Sequence, residues 1–397
     1  MTPNTAMPWI MLVLGGICLR AGISSIAPML DAIQARFHVS VGWLGLLTAI
    51  PVICMGALST IGHRLEGRFG IKKTMVVSFL LLTIGLLLRL DINHFGLLLI
   101  TAGCVGVADA VIRPLLSGFI KDKFPERIAL AMSVYSASMG LGSASAAWLT
   151  PYVSEFADHH WGSGLAVWSL PALIALVIWF IGDVRPTQVA PAAATQPFSV
   201  TRAHILCFTL FFGLQAGINY VTLAWLPLFY IHMGMAVGSA GMLVAVCVIV
   251  QMITSLLLST VTRLTGLTHP HAVVAFSLLT LVGIVLLFIP GAPFWLAPAI
   301  IGLATGGLFP LALIIPLDFT HNRQQATRLS GMTQSGGYIL GGLAPWLTGL
   351  LSQWLGINLG FRAFLLFCAL AVIVISLLVA KAYQTRDAER SATKDGV

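Results

Sequence analysis

Long apolar runs alternate with short polar breaks along almost the whole chain. About twenty apolar residues, coiled as a helix, match the thickness of a bilayer's hydrocarbon core. Runs of that length predict twelve membrane-spanning helices. They fall at 8–30, 41–61, 74–90, 95–119, 128–152, 164–182, 204–230, 237–262, 272–289, 294–317, 329–352 and 362–382. Most breaks between them are short, which predicts antiparallel neighbours in a compact bundle. The longest break, Asp183 to Arg202, holds Pro186, Pro191 and Pro197 among alanines. A Pro/Ala tract builds no core and reads as a linker. The expected organisation is therefore an N-terminal six-helix bundle over 1–183, a cytoplasmic linker over 184–203 and a C-terminal six-helix bundle over 204–397.

The two halves echo each other. Val41-Gly42-Trp43-Leu44-Gly45 opens the second span, and Val237-Gly238-Ser239-Ala240-Gly241 opens the eighth. Trp148-Leu149-Thr150 recurs as Trp346-Leu347-Thr348 at a similar distance. Agreement at about half the chain length predicts a duplicated unit.

Composition fixes the class. The chain is 58% hydrophobic and 9% charged, whereas soluble domains keep about a quarter of their residues charged. The net charge of +8 does not indicate a nucleic-acid partner, because the basic residues sit in the breaks. Arg64, Arg68, Lys72, Lys73, Lys121, Lys123, Arg127, Arg185, Arg202, Arg263, Arg323, Arg328 and the tail residues Lys381, Arg386, Arg390 and Lys394 all fall on one side of the expected topology. Only Arg36 and Arg362 fall on the other. Positive loops stay inside, so both termini are expected on the cytoplasmic side. The first run is too long for a signal-peptide core, and it reads as an uncleaved span. Six cysteines each lie alone in an apolar run, which suggests neither a metal site nor a disulfide frame.

Polar residues inside spans carry the candidate chemistry. Arg20 lies mid-way along the first span, where a guanidinium is costly and must face protein or a watery cavity. Either a neighbouring carboxylate or backbone carbonyls hold it permanently, or it receives an anion or polar solute. Asp109 and Arg113 are one helical turn apart on the fourth span. They form either a self-neutralising pair or a functional one, and Asp109, the one carboxylate well inside a span, is the candidate for proton coupling. Gln215, Asn219 and Thr222 form a stripe on the seventh span, flanked by Tyr220 and Trp225. Amides in hydrocarbon need partners, so the stripe faces a cavity or another helix. Pro227 is expected to break that helix near its end. Gln251, and Gln334 with Tyr338, are similar candidates. Arg89, beside Asp91 at the end of the third span, is expected to reach the interface and stay wet. Clustered glycines such as Gly140, Gly142, Gly306 and Gly341 predict close helix crossings.

The break Gly62-His63-Arg64-Leu65-Glu66-Gly67-Arg68-Phe69-Gly70-Ile71-Lys72-Lys73 resembles the loop signature of the major facilitator superfamily. Arg68, Gly70 and Lys72 fit it, while Gly67 stands at the acid position and Glu66 one residue early. Leu19-Arg20 followed by Ala27-Pro28-Met29-Leu30 is similar to the motif of that superfamily's cyanate transporter and 2-nitroimidazole exporter group. So are the Gly85-to-Arg89 spacing, Tyr220 with Ala224-Trp225-Leu226-Pro227 and Gly234, Gly306 to Pro310, and Leu329 to Ser335 leading to Ala344-Pro345-Trp346. The resemblance implies two pseudo-symmetric six-helix bundles around a central alternating-access cavity, acting as a monomer with no cofactor. Arg113 departs from the neutral amide of that group.

The function expected is secondary transport of a small polar solute, foremost a small cyanate-like anion and alternatively a nitroimidazole-like heterocycle leaving the cell. The expected partners are the solute, the lipid bilayer and a coupling proton. An enzyme would need a converging nucleophile, base or metal set, and no span carries one. A membrane ligand sensor is the remoter alternative, and it would ordinarily carry a soluble output domain.

Overall fold

The computed structural model describes residues 3–58, 61–124, 126–158, 160–182, 200–320 and 323–395. Most of the expected linker lies outside them. The regular elements among the described residues are helices: α1 (Pro3–Ser24), α2 (Leu30–Phe37), α3 (Val41–Ala57), α4 (Ile61–Phe69), α5 (Ile71–Leu87), α6 (Phe95–Lys123), α7 (Ile128–Phe156), α8 (Trp161–Ala166), α9 (Ser169–Ile181), α10 (Arg202–Ile231), α11 (Val237–Thr265), α12 (His269–Leu286), α13 (Leu296–Asp318), α14 (Arg323–Leu355) and α15 (Ile357–Asp395). Among the described residues, nine helical segments are long and apolar enough to cross a bilayer, and α3 is a shorter apolar helix.

Several local expectations change. Pro8 sits inside α1 rather than at its start. The first span continues beyond Ser24 through a 3-10 turn, Ala27–Met29, into α2. Pro28 supplies the cause, because a proline has no N–H for the carbonyl one turn back. Pro227 does not break α10, which runs on to Ile231. Buried membrane helices tolerate proline when neighbours pack around the gap. The signature loop is mostly helix. It forms α4, then turns at Gly70 (φ +80°), where only glycine avoids a Cβ clash. The Gly70 carbonyl accepts from the Thr74 hydroxyl at 2.9 Å. Arg68 lies over the Phe69 ring at 5.4 Å, with Glu66 and Lys72 half-buried.

The halves repeat each other's packing. In the first, α1 packs on α7, α3 on α6, and α5 on α6 and α9. In the second, α10 packs on α14, α11 on α13, and α12 on α13 and α15. Ring contacts follow the same rule. Trp9 meets Phe124 beyond the end of α6 at 4.3 Å, and Phe208 meets Phe319 beyond the end of α13 at 4.9 Å.

Two seams join the halves, α3 against α14 and α7 against α11. The repeated glycines explain their closeness. A Cβ on Gly45 would sit 2.5 Å from the Pro345 carbonyl, and one on Gly241 would collide with the Ala147 carbonyl. The internal sequence repeat is thus a repeated backbone-to-backbone crossing.

On the face away from the start of α1 and the end of α15, the halves also meet across the cavity axis. The 3-10 turn Ala27–Met29 packs on α10 and α11. Asp31 stands 3.9 Å from His232, and the Gln353 amide donates to the Ser40 hydroxyl at 2.6 Å. No comparable contact joins α6 to α13 among the described residues. The central cavity is therefore closed towards this far face.

Candidate functional site

Between the halves lies a cavity of about 110 Å³, lined by residues of α1, α7, α10, α11, α13 and α14. A larger, open cleft of about 620 Å³ lies at the far face, around Ser40, His232 and Arg362. The smaller cavity is where buried polar groups converge.

Arg20 reaches it from α1, half-buried, with its guanidinium 5.6 Å from the centre of the Tyr220 ring. That distance suits a cation–π contact. No hydrogen bond or ion pair to a described residue accompanies it. Asp109 is not its partner. Arg113 holds that carboxylate, placing Nη2 at 2.9 and 2.8 Å from the two oxygens, and Asp109 is 1% exposed. The pair lies beside the cavity rather than in its lining. Arg113 Nη1 reaches the sulfur of Met139 at 3.5 Å, and Met139 does line it. Arg113 is also within electrostatic reach of Tyr135, Tyr220 and Tyr338. The arrangement is one ion pair with its charge used up beside one guanidinium with its charge unspent.

The polar stripe of α10 divides. Gln215, Asn219 and Tyr220 line the cavity, as do Gln251 from α11 and Tyr338 from α14. Gln215 is 1% exposed, and neither its amide nitrogen nor its carbonyl oxygen has a partner. The Asn219 carbonyl oxygen is likewise buried and unpartnered. Such groups cost about 1–3 kcal/mol each when left unsatisfied, so they mark a place that a solute's donors and acceptors can complete. Trp225, Thr222 and Gln334 are not in the lining. The Trp225 indole donates to the Pro345 carbonyl at 3.1 Å, at the crossing of the two halves.

Sequence reasoning missed the contribution of α7. Ser136, Gly140 and Ser143 line the cavity, and Ser143 shares a 2.6 Å hydrogen bond with Ser24 of α1. Their i, i+4, i+7 spacing was a visible stripe, but small residues also make helix crossings. Here they do both, since Gly140 lies against Met252 of α11.

Arg89 departs most from expectation. It is fully buried rather than at the interface, while its neighbour Asp91 is exposed. Its Nη1 donates to the Gly22 carbonyl at 2.7 Å and its Nε to the Thr101 hydroxyl at 3.3 Å. Backbone and hydroxyl acceptors inside the bundle meet two of its nitrogens where snorkelling was expected, while the buried Nη2 has no partner among the described residues. Among the described residues, no group of three or more His, Cys, Asp or Glu could hold a metal.

Comparison with known proteins agrees with this architecture. The family model described as Major Facilitator Superfamily matches residues 12–345. The chain is 31% identical over 372 residues to the cyanate transport protein CynX of Escherichia coli (strain K12), covering 93% of this chain and 96% of that one. It is 28% identical over 339 residues to the 2-nitroimidazole transporter of the same organism, covering 83% and 84%. Among solved structures, a bacterial homologue of the human lysosomal transporter Spinster, inward-facing and unoccupied, superposes with a TM-score of 0.77 at 16% identity, covering 97% and 98%. An integral membrane chain with repeated halves, paired seams and a central polar cavity, matched at this coverage, belongs to the Major Facilitator Superfamily of secondary transporters for small polar solutes and not to a family of enzymes.

Proposed function

We propose that the carried solute is a small anion of the cyanate type, bound at Arg20. One observation supports this above the others. Arg20 faces the cavity without a carboxylate, because Asp109 is engaged by Arg113. A bound anion would give that guanidinium a planar, charge-assisted partner, with Gln215, Asn219, Gln251 and Tyr338 completing the site. Asp109 is the proton-coupling candidate, and protonating it would release Arg113 towards the cavity. The functional unit is a monomer of twelve spans, in bundles 1–183 and 204–397, with both termini in the cytoplasm of a bacterial inner membrane. The signature residues Glu66, Arg68, Gly70 and Lys72 then lie on the cytoplasmic side.

A second reading is efflux of a polar heterocycle. The ring faces of Tyr220 and Tyr338 and the unpartnered amide of Gln215 favour it. Flux into proteoliposomes, with cyanate, nitrite and a nitroimidazole compared side by side, separates the two. The anion reading expects cyanate or nitrite flux that Arg20→Gln abolishes and Arg20→Lys weakens, since lysine keeps the charge but loses the planar fork. Nitroimidazole flux that survives Arg20→Gln, with no anion flux from the parent, would refute it.

A further inference from the structure

We propose that Arg89 is a positioning residue for the transport cycle. Its guanidinium would hold the kink of α1 that closes the far face.

The kink begins with backbone hydrogen bonds. In a continuous helix the Ile26 N–H would donate to the Gly22 carbonyl. Here it donates to the Ile23 carbonyl at 3.3 Å, in the tighter 3-10 pattern. The Gly22 carbonyl is left without its helical donor, inside the bundle and out of reach of water. Arg89 Nη1 takes that donor's place at 2.7 Å. The guanidinium is therefore matched to the kinked form of α1. In a straightened α1, Ile26 would reclaim the carbonyl, and the buried Arg89 would lose this bond.

The consequence lies in what the kink separates. Before it, Cys18, Leu19 and Ile23 belong to the apolar core of the first half. After it, the turn Ala27–Met29 packs on α10 and α11 of the second half, and Ile26 and Met29 join a cluster that holds Phe229 and Tyr230 together with Leu44, Ile92 and Leu165 of the first half. The chain thus reaches the second half at the kink itself, and the turn contributes to the far-face closure. Opening that face requires the turn to leave α10 and α11.

The second half supplies an internal contrast. Its counterpart helix, α10, has no such break. Gly85 and Gly283 occupy matching places, each packed against its neighbouring helix, and the residue four beyond Gly283 is Leu287. An arginine stands at this position only in the half whose first helix is kinked.

The test is independent of which solute is carried. In the full chain, Asp31→Cys with His232→Cys places thiols on the two sides of the far-face contact, where a short bis-maleimide can join them. Cross-linking should proceed at least threefold more slowly when Arg89→Gln is added, and Arg89→Lys, which can still reach one carbonyl, should recover part of the rate. An unchanged or faster rate in folded Arg89→Gln protein overturns the proposal, including the case in which yield falls but the folded fraction cross-links normally. If Arg89→Gln fails to insert, Arg89→Lys and Thr101→Val take its place. Both should cross-link more slowly than the parent, and parental rates in both overturn it.

Discussion

The division of labour between the two cavity-side arginines can be tested by stability alone. Asp109 is 1% exposed and its carboxylate is held by Arg113 through contacts of 2.9 and 2.8 Å. Arg113→Gln would leave a buried carboxylate without a counter-charge, and breaking a buried pair from one side costs about 3–5 kcal/mol. Asp109→Asn strands a guanidinium that is 18% exposed and can turn towards the cavity, so its cost should be smaller. Removing both charges should restore most of the stability, giving a coupling of roughly 2–4 kcal/mol in a double-mutant cycle. Arg20→Gln should cost nothing, or stabilise slightly, because it removes a charge that is expensive in a membrane and has no protein counter-ion. Unfolding of purified protein in detergent, by heat or graded denaturant, measures all four variants. The reasoning fails if Arg20→Gln is as damaging as Arg113→Gln, or if Asp109→Asn rescues Arg20→Gln instead.

Two further outcomes follow from the packing and the lining. Gly241→Val should block the α7–α11 crossing, where even a Cβ meets the Ala147 carbonyl, and should lower both folded yield and flux, measured by size-exclusion chromatography and vesicle uptake. Gln215→Leu removes a buried amide that lacks partners; it should hold or raise the melting temperature while weakening solute affinity at least tenfold, a loss of roughly 1.4 kcal/mol.

Much of the fold could be read from hydrophobic run length, because a bilayer imposes one length on every span. The duplication was legible because Gly45 and Gly241 meet carbonyls at equivalent crossings, a constraint that tolerates no side chain. Arg20 and the α10 stripe announced themselves through the expense of polar groups in hydrocarbon. What stayed hidden was direction. Run length said nothing about whether Arg89 turned towards water or inwards to a carbonyl freed by a kink sixty-odd residues earlier. Nor did it separate Gln215, aimed at the cavity, from Trp225, whose indole is used at the α14 backbone. Such choices depend on tertiary neighbours, and helical spacing carries no information about them.

The unspent charge of Arg20 bears on which movements of the carrier are cheap. A cavity that closes around a bare guanidinium must desolvate it, whereas one that closes around an ion pair encloses a net charge lower by one. If the solute is an anion, the loaded carrier reorients more easily than the empty one. The empty return step also carries an extra positive charge through the membrane field, worth about 2.3 kcal/mol per 100 mV for a full crossing. Exchange of one anion for another avoids that step altogether. Vesicles preloaded with the anion should then take up labelled anion faster than empty vesicles, and equal rates would mean that the empty carrier returns as readily as the loaded one.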